Sequence, residues 1–194
     1  MSDVDRRAAV RDAYSAAARD PHGEHPFTIG RALALGVGYP AQMLDRVPDA
    51  AVAAFAGVAA VSVHAELRPS DRVLDLGCGA GLDALTAAAR LRQRGEVVGI
   101  DFSADMLRCA QRARGADDAG RLVLCCASAE ALPLQDGSVD VALVNGVFNL
   151  NPARHAIFDE LARVVRPGGR VYAAELILQV PLPPSEMTAA SWFA

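Results

Sequence analysis

The sequence predicts an α/β fold: a Rossmann-like, doubly wound, mostly parallel sheet preceded by an N-terminal helical cap. Two observations lead to this prediction. After Leu67, short apolar segments of strand length alternate with segments of helix length, which is typical of a parallel sheet covered on both faces. The first strand, 72–76, also runs into the glycine-rich segment 75–81, Asp-Leu-Gly-Cys-Gly-Ala-Gly, which opens the next predicted helix.

The chain is expected to divide into two parts near Leu67. Residues 1–66 are rich in alanine and interrupted by turn residues, so we interpret them as a helical cap on the substrate side of the site. Its predicted helices cover 4–19, 28–35, 41–47 and 49–66. The last of these is expected to bend at Gly57.

Residues 67–194 are expected to form the core, with five strands and the helices between them. The predicted strands are 72–76, 97–100, 122–126, 139–144 and 170–178. The predicted helices are 82–94, 104–114 and 153–165, and Pro167-Gly168-Gly169 is expected to stop the last one.

Composition narrows the classes of function. The chain has 194 residues, 52% of them hydrophobic, which is enough for one domain with a real core. A net charge of -4 argues against a nucleic-acid partner. The charged segment 1–11 precedes no apolar stretch, and no apolar run is long enough to cross a membrane, so we expect a cytoplasmic protein without a membrane partner.

Four cysteines occur in the chain without a spaced CxxC pair, so reduced thiols are expected. The neighbours Cys125 and Cys126 could bind a soft metal or metalloid, or could simply be small apolar residues that end a buried strand. His22 and His25 lie close together in a proline-containing loop, but no third ligand accompanies them. The sequence therefore assigns no metal site.

The glycine run and Asp101 together predict a nucleotide-like ligand. Glycines let the backbone turn tightly and approach a ligand, and the following helix presents unpaired N–H groups. Asp101 lies at the end of the next strand, twenty positions beyond Gly81, where an acidic side chain can accept hydrogen bonds from ribose hydroxyls.

A dinucleotide is the first alternative for this ligand, since Gly79-x-Gly81-x-x-Ala84 can be aligned with the dinucleotide-binding pattern. Asp75 argues against it. Its carboxylate stands just before the first glycine, where a pyrophosphate would meet a like charge. A cofactor with positive charge would suit this position better.

Four segments resemble class I methyltransferases that use S-adenosylmethionine (SAM). They are 73–81 (Val-Leu-Asp-Leu-Gly-Cys-Gly-Ala-Gly), 98–103 (Val-Gly-Ile-Asp-Phe-Ser), 129–140 and 161–170. The resemblance implies SAM as cofactor, with Asp75 and the glycine run, including Gly77, Cys78, Gly79 and Gly81, around its methionine part. It places Asp101 on the ribose, Phe102 and Met106 beside the adenine, and Ser128, Ala129 and Glu130 at the adenine edge. Family members often carry Asp where this chain has Ser128.

A narrower resemblance, to the arsenite methyltransferase group, rests on 14–15, 38–40, 55–67 and 145–152. That group captures trivalent arsenic with cysteine thiolates, which a soft metalloid prefers. The corresponding positions here hold Val58, Ala84 and Gly146, none of which can be a ligand. We therefore expect the scaffold of that group without its substrate trap.

The resemblance implies methyl transfer from SAM to a small molecule such as a thiol, a metalloid, a phenol or quinol, or a specialised metabolite. Asn145, at the carboxyl end of a predicted strand, is a further candidate for cofactor binding. Candidate substrate contacts are Tyr14, Tyr39, His64 and Asn149, and no catalytic base is identified. The alternative is a SAM-binding subunit without catalysis, or a truncated arsenite methyltransferase-like protein.

The end of the chain predicts association. The sheet of the family normally continues past its fifth strand, whereas this sequence ends soon after 170–178, so the sheet is expected to be truncated there. Pro181, Pro183 and Pro184 lack the N–H needed for strand pairing, and Trp192 and Phe193 add apolar surface. We expect a homo-oligomer formed through this edge, or a fragment of a longer protein.

Overall fold

A computed structural model of the protein describes residues 3–91, 95–115 and 121–177. Five parallel strands form one sheet in the order β3-β2-β1-β4-β5. They are β1 (Arg72–Leu76), β2 (Glu96–Asp101), β3 (Leu122–Cys126), β4 (Val139–Asn145) and β5 (Val165–Ala174). The predicted α/β class is confirmed, and the bounds of β1 and β3 are those expected from the sequence.

Eight helices accompany the sheet in this part of the chain. They are α1 (Asp3–Arg19), α2 (Arg31–Gly36), α3 (Ala41–Leu44), α4 (Asp49–Ala53), α5 (Val61–His64), α6 (Leu82–Arg90), α7 (Ala104–Ala113) and α8 (Arg154–Val164). None of these helices is long and apolar enough to cross a membrane.

Neighbouring residues of a strand point to opposite faces of the sheet, and helices cover both faces. Val73 on β1 packs with Leu85 of α6 in one buried cluster. Leu74, the next residue, packs with Ile157 of α8 in a second cluster. This is the doubly wound arrangement that a continuous run of apolar strand residues predicts.

The predicted helix 49–66 is wrong as one element. The structure has two short helices there, α4 and α5, joined by an irregular loop at 54–60. The loop obtains its hydrogen bonds from the core: Asn145 Oδ1 accepts from the backbone N–H of Val58 at 2.8 Å, and Asn145 Nδ2 donates to the carbonyl of Ala59 at 2.8 Å. These side-chain bonds replace those that a continuous helix would have made.

The predicted bounds of the fifth strand are also wrong. β5 begins directly after α8, with Val165 paired to Val139, and ends at Ala174. The register shifts between Val139 and Val141, and Gly168 takes a positive φ of 78° within the irregular segment, so the expected stop at 167–169 becomes a bulge in the strand. The predicted tail, with Pro181, Pro183, Pro184, Trp192 and Phe193, lies outside the described residues.

The cap packs onto the core beside the glycine run. Ala17 and Ala18 of α1 share a buried cluster with Ala80 and with Met106 of α7. A second cluster joins Tyr39 and Phe55 to Leu82 at the start of α6. The strand order reverses at β1, and in open α/β sheets a ligand crevice forms at the carboxyl ends of strands around such a point.

Candidate functional site

A cleft opens at the carboxyl ends of β1, β2 and β4, with an empty volume of about 1040 Å³ counted out to its mouth. Both the core and the cap line it. The predicted residues that it brings together are Tyr14, Asp75, Gly77, Cys78, Gly79, Asp101, Phe102, Met106, Ser128, Ala129, Glu130 and Asn145.

The glycine run forms the floor of the cleft. Gly77 and Gly79 have positive φ values of 74° and 52°, which let the backbone turn away from β1. The N–H groups of Gly77 and Cys78 both donate to the carbonyl of Ile100, at 2.8 and 3.0 Å. Gly81 does not line the cleft. It precedes α6 with a left-handed φ of 93° and serves the turn into the helix.

Asp75 is the feature of the cleft that most needs a ligand. It is 1% exposed, and its Oδ2 atom has no hydrogen-bond partner among the described residues. Burial raises the pKa of its carboxyl well above the usual value, and the charges of Asp83 and Asp101 raise it further. A cationic group fits this position, whereas a pyrophosphate would add to the repulsion.

Asp101 is positioned by the backbone around it. Its Oδ2 accepts from the N–H of Gly79 at 2.9 Å, and its Oδ1 accepts from the N–H of Ser103 at 2.7 Å. Burial raises the pKa of Asp101 in spite of these hydrogen bonds, which act to lower it. The backbone N–H of Phe102 also donates to this carboxylate. Three donors leave a free lone pair among the four of the carboxylate, so the group can still accept a hydrogen bond from a diol.

The 127–130 loop after β3 also lines the cleft, as do Phe102 and Met106. Arg7 of α1 reaches this loop, with its guanidinium 3.1 Å from Glu130 and 2.9 Å from the Ser128 hydroxyl. Burial acts to raise the pKa of Glu130, but hydrogen bonds from Ser128 and Asn151 and the charge of Arg7 outweigh it and hold the pKa below the usual value.

Asn145 lines the cleft, but its amide is used by the protein. Its Oδ1 accepts from Val58 and Ala59, and its Nδ2 donates to Ala59 and to Asp83. Both N–H donors and both lone pairs of the amide therefore have partners. The side chain holds the 54–60 loop against the core rather than offering a free polar group.

Three predicted contacts lie outside the lining of the cleft. Tyr39 is 2% exposed and donates its hydroxyl to Asp83. His64 is exposed at the end of α5. Asn149 donates its backbone N–H to Glu175 at 3.3 Å and its amide to the carbonyl of Leu176.

The two tyrosines are poorly suited to act as bases. Burial raises the pKa of Tyr14, and the charges of Asp101 and Glu175 add to the effect. Burial likewise raises the pKa of Tyr39, together with the charge of Asp83 and the hydrogen bond to it. Both side chains remain phenols at neutral pH, so they can donate a hydrogen bond but do not take a proton.

The cysteines do not form a shared trap. Cys125 and Cys126 are neighbours on β3, and alternation along the strand turns them to opposite faces. Cys125 packs against a core cluster, whereas Cys126 is exposed. Within the part of the chain that the structure describes, no group of three or more His, Cys, Asp or Glu residues is placed to hold a metal ion.

Sequence reasoning missed Arg7, Asp83 and the cap residues Ala51 and 54–57, all of which line the cleft. Asp83 could have been found, because an acidic side chain in the first turn of an otherwise apolar helix after a glycine run needs an explanation. Arg7 gave no signal, since its partner Glu130 lies 123 positions away.

Comparison with known proteins gives consistent relatives. Residues 67–192 match the model of a methyltransferase domain family. An arsenite methyltransferase of Halobacterium salinarum is 35% identical over 147 residues, covering 76% of this chain and 37% of that protein. A demethylmenaquinone methyltransferase of Lactiplantibacillus plantarum is 37% identical over 111 residues, covering 56% of this chain and 46% of its own.

A solved structure agrees with these relatives. The arsenic(III) S-adenosylmethionine methyltransferase of Chlamydomonas reinhardtii superposes with a TM-score of 0.62 at 28% identity, over 80% of this chain and 51% of the other. The chain thus spans about a third to a half of the length of the proteins it matches. Since the family model covers most of the sequence, the chain belongs to the methyltransferase domain family, in the class I, SAM-dependent group close to the arsenite methyltransferases.

Proposed function

We propose that the protein transfers a methyl group from SAM to a small-molecule acceptor held in this cleft. The observation that carries the proposal is the buried Asp75 carboxylate at the turn of the glycine run, whose Oδ2 has no hydrogen-bond partner among the residues that the structure describes. SAM carries a sulfonium and an ammonium and has no phosphate. A cation beside Asp75 would relieve the cost of burying this group among other carboxylates.

The lining suggests how SAM would lie. Its methionine part would occupy the turn at 75–79, and Asp101 would accept hydrogen bonds from the ribose diol. From Asp101 the cleft continues between Phe102 and Met106 on one side and the 127–130 loop on the other. A flat base fits such a space, because apolar side chains cover its faces while polar groups reach its edge.

The cap would then form the acceptor side. Phe55, Ala56 and Gly57 from the cap face Val147 and Leu150 from the core, and all five are apolar. The acidic residues of the lining outnumber Arg7, so an anionic acceptor would be repelled. We infer a neutral acceptor, such as a phenol, a quinol, a thiol or a specialised metabolite, and residues 1–66 as the segment that selects it.

Methyl transfer from a sulfonium is an in-line displacement, in which the cofactor supplies the activated methyl group. The contribution of this chain would be to hold the nucleophile in line with the methyl group and to exclude water. Tyr14 would act here as a hydrogen-bond donor, since its phenol stays protonated. A base is needed only for an acceptor that is protonated at working pH.

A turnover screen tests the proposal. Purified protein would be incubated with SAM and separate panels of phenols or quinols, thiols, arsenite and amines, and S-adenosylhomocysteine formation would be measured. We expect turnover with a neutral organic acceptor. SAM binding without turnover by any panel would favour the non-catalytic subunit, and no binding at all would refute both readings.

We also propose that the protein acts in the cytoplasm and that two copies pair through the edge of the sheet. The net charge of -4 favours a cytoplasmic enzyme that acts on small molecules rather than on nucleic acid. β5 is the last strand of the described sheet, and its Val171 is 46% exposed. An edge of this kind favours pairing of two copies, which light scattering would detect.

A further inference from the structure

Arg7 of α1 meets two side chains of the 127–130 loop, Ser128 and Glu130, at the lining of the cleft. Arg7 NH1 lies 3.1 Å from Glu130 Oε1, and Arg7 NH2 lies 3.3 Å from Glu130 Oε2. The same NH2 group donates to the Ser128 hydroxyl at 2.9 Å. The Ser128 hydroxyl donates in turn to Glu130 Oε2, and all three residues line the cleft.

The chemistry of the two charged partners fixes the direction of the Ser128 proton. A guanidinium can only donate, so Ser128 accepts from Arg7. An ionised carboxylate can only accept, so the hydroxyl proton of Ser128 points to Glu130. The lowered pKa of Glu130, in which hydrogen bonds from Ser128 and Asn151 and the charge of Arg7 outweigh burial, keeps this carboxylate ionised.

Glu130 is itself fully engaged. Its Oε1 receives Asn151 Nδ2 at 2.9 Å and one nitrogen of Arg7. Its Oε2 receives the Ser128 hydroxyl and the other nitrogen of Arg7. The second lone pair of the Ser128 oxygen is therefore the acceptor that this cluster leaves for a ligand.

We propose that Arg7 and Glu130 are positioning residues that lock the Ser128 hydroxyl as a hydrogen-bond acceptor, so that the cleft selects a 6-amino purine over a 6-oxo purine. The inference rests on the proposed binding of SAM and adds the atom that recognises its adenine, the Ser128 Oγ. An adenine amino group donates a hydrogen bond to such an acceptor. A hypoxanthine carbonyl would instead face the Ser128 lone pair, since the only proton of that hydroxyl is held by Glu130.

A serine whose proton is held elsewhere presents the same acceptor character to the base as a carboxylate. The lock depends on the cap, because Arg7 belongs to α1. A second arginine of that helix, Arg19, pairs with Asp105 at 2.6 Å, and neither residue lines the cleft.

The test compares two ligands that differ only at the base. Calorimetric titration would measure the Kd of S-adenosylhomocysteine and of S-inosylhomocysteine with the whole chain. For the unmodified protein we expect the adenosyl compound to bind at least about tenfold tighter, as for one lost hydrogen bond with an unpaired partner. Glu130→Met removes the acceptor of the Ser128 proton at a similar side-chain length, so it should bring the ratio close to one while both ligands still bind. Ser128→Ala should also narrow the ratio.

Comparing Arg7→Met with Arg19→Met distinguishes loss of the Arg7 contacts to Ser128 and Glu130 from a general weakening of the packing of α1 on the core. Both remove one charged contact of this helix, but only Arg7→Met should narrow the ratio. The inference is overturned if the unmodified protein binds both ligands equally, if Glu130→Met leaves the ratio of the two Kd values unchanged, or if Arg19→Met narrows this ratio as much as Arg7→Met. Failure of the unmodified protein to bind S-adenosylhomocysteine would overturn the proposed function as well.

Discussion

Asn145 at the end of β4 donates from Nδ2 to Oδ2 of Asp83 on α6 over 2.8 Å, although 62 positions separate them. The same carboxylate accepts from the backbone N–H of Ser62 at 2.8 Å and from the hydroxyl of Tyr39. Asn145 also binds the 54–60 loop. Two polar side chains, the buried Asp83 and the half-buried Asn145, thus join the cap to the core beside the cleft, and their hydrogen bonds are long-range.

Gly57→Ala tests this junction. A Cβ at Gly57 would lie 2.5 Å from Asn145 Nδ2 and 2.7 Å from Phe55 Cζ, so it would force the Asn145 amide away from its partners. We expect the free energy of unfolding to fall by about 1–3 kcal/mol, as measured by chemical denaturation.

Gly36→Ala is the matched control for that variant. A Cβ at Gly36 would meet nothing within 4 Å, and the residue lies within α2. Because alanine favours a helix over glycine, this variant should be neutral or more stable by up to about 1 kcal/mol. Equal stability of the two variants would show that the Asn145 contacts do not hold the loop.

Asp75→Asn should stabilise the ligand-free protein at neutral pH and weaken its binding of SAM. Burial, with Asp83 and Asp101 nearby, raises the pKa of Asp75 in the folded protein, whereas an unfolded Asp ionises at about pH 3.9. Above that pH the unfolded state holds fewer protons than the native state, so stability falls as pH rises toward the folded pKa and stays low above it. Asparagine removes this loss and keeps an oxygen for the N–H of Ala84.

The measurement is Tm against pH without ligand, followed by titration with SAM at pH 7. Asp75→Asn should melt above the unmodified protein at pH 7, with the difference shrinking below about pH 4, and it should bind SAM more weakly. If the variant is less stable at neutral pH, or binds SAM as tightly as the unmodified protein, Asp75 is not a buried carboxylate that binds a cationic group of SAM.

The elements that sequence patterns predicted well are those with local causes. β1 and β3 are continuous apolar runs bounded by turn residues, and the structure has both at the expected bounds. The loop at 54–60 could not be predicted in the same way, because its alanines favour a helix and its deciding partner, Asn145, lies 87 positions from Val58. The site followed the same rule: the glycine run was visible locally, whereas Arg7 was not.

Asp101→Ala is expected to weaken SAM binding and to lower the stability of the ligand-free protein. Loss of the hydrogen bonds to the ribose should cost about 1–3 kcal/mol of binding free energy by calorimetry. The carboxylate also receives Gly79 and Ser103, so its loss should lower the free energy of unfolding by about 1 kcal/mol or more. Asp105→Ala is the control, since Asp105 pairs with Arg19 and Arg108 outside the cleft. Unchanged SAM affinity in Asp101→Ala would remove this residue from the site.

SAM and NAD should differ in their effect on Tm in a thermal shift experiment. A ligand that binds only the folded state raises Tm, by an amount set by its concentration relative to Kd. We expect SAM and S-adenosylhomocysteine to raise Tm and NAD to leave it unchanged, because Asp75 would meet the pyrophosphate of NAD. Stabilisation by NAD alone would show that the cleft is a dinucleotide site.

Arsenite should not be methylated at a useful rate, because the trap expected for that group is missing. Val58, Ala84 and Gly146 stand at its cysteine positions, and a Cβ at Gly146 would lie 3.6 Å from Val58 Cγ1. Of the thiols present, Cys78 is buried, and burial together with the charge of Asp75 raises its pKa well above the usual value, so it resists becoming a thiolate ligand.

The double variant Val58→Cys/Gly146→Cys would place two thiols in contact, and it should retain arsenite through gel filtration, measured as arsenic bound per protein. Val58→Ser/Gly146→Ser is the matched control, since it imposes the same side-chain size and the same positive φ of 71° at position 146 without a soft ligand. The control should retain no more arsenic than the unmodified protein. Methylated arsenic formed by the unmodified protein with SAM and glutathione would contradict the prediction, and Cys78→Ser, Cys125→Ser and Cys126→Ser would then identify the thiol responsible.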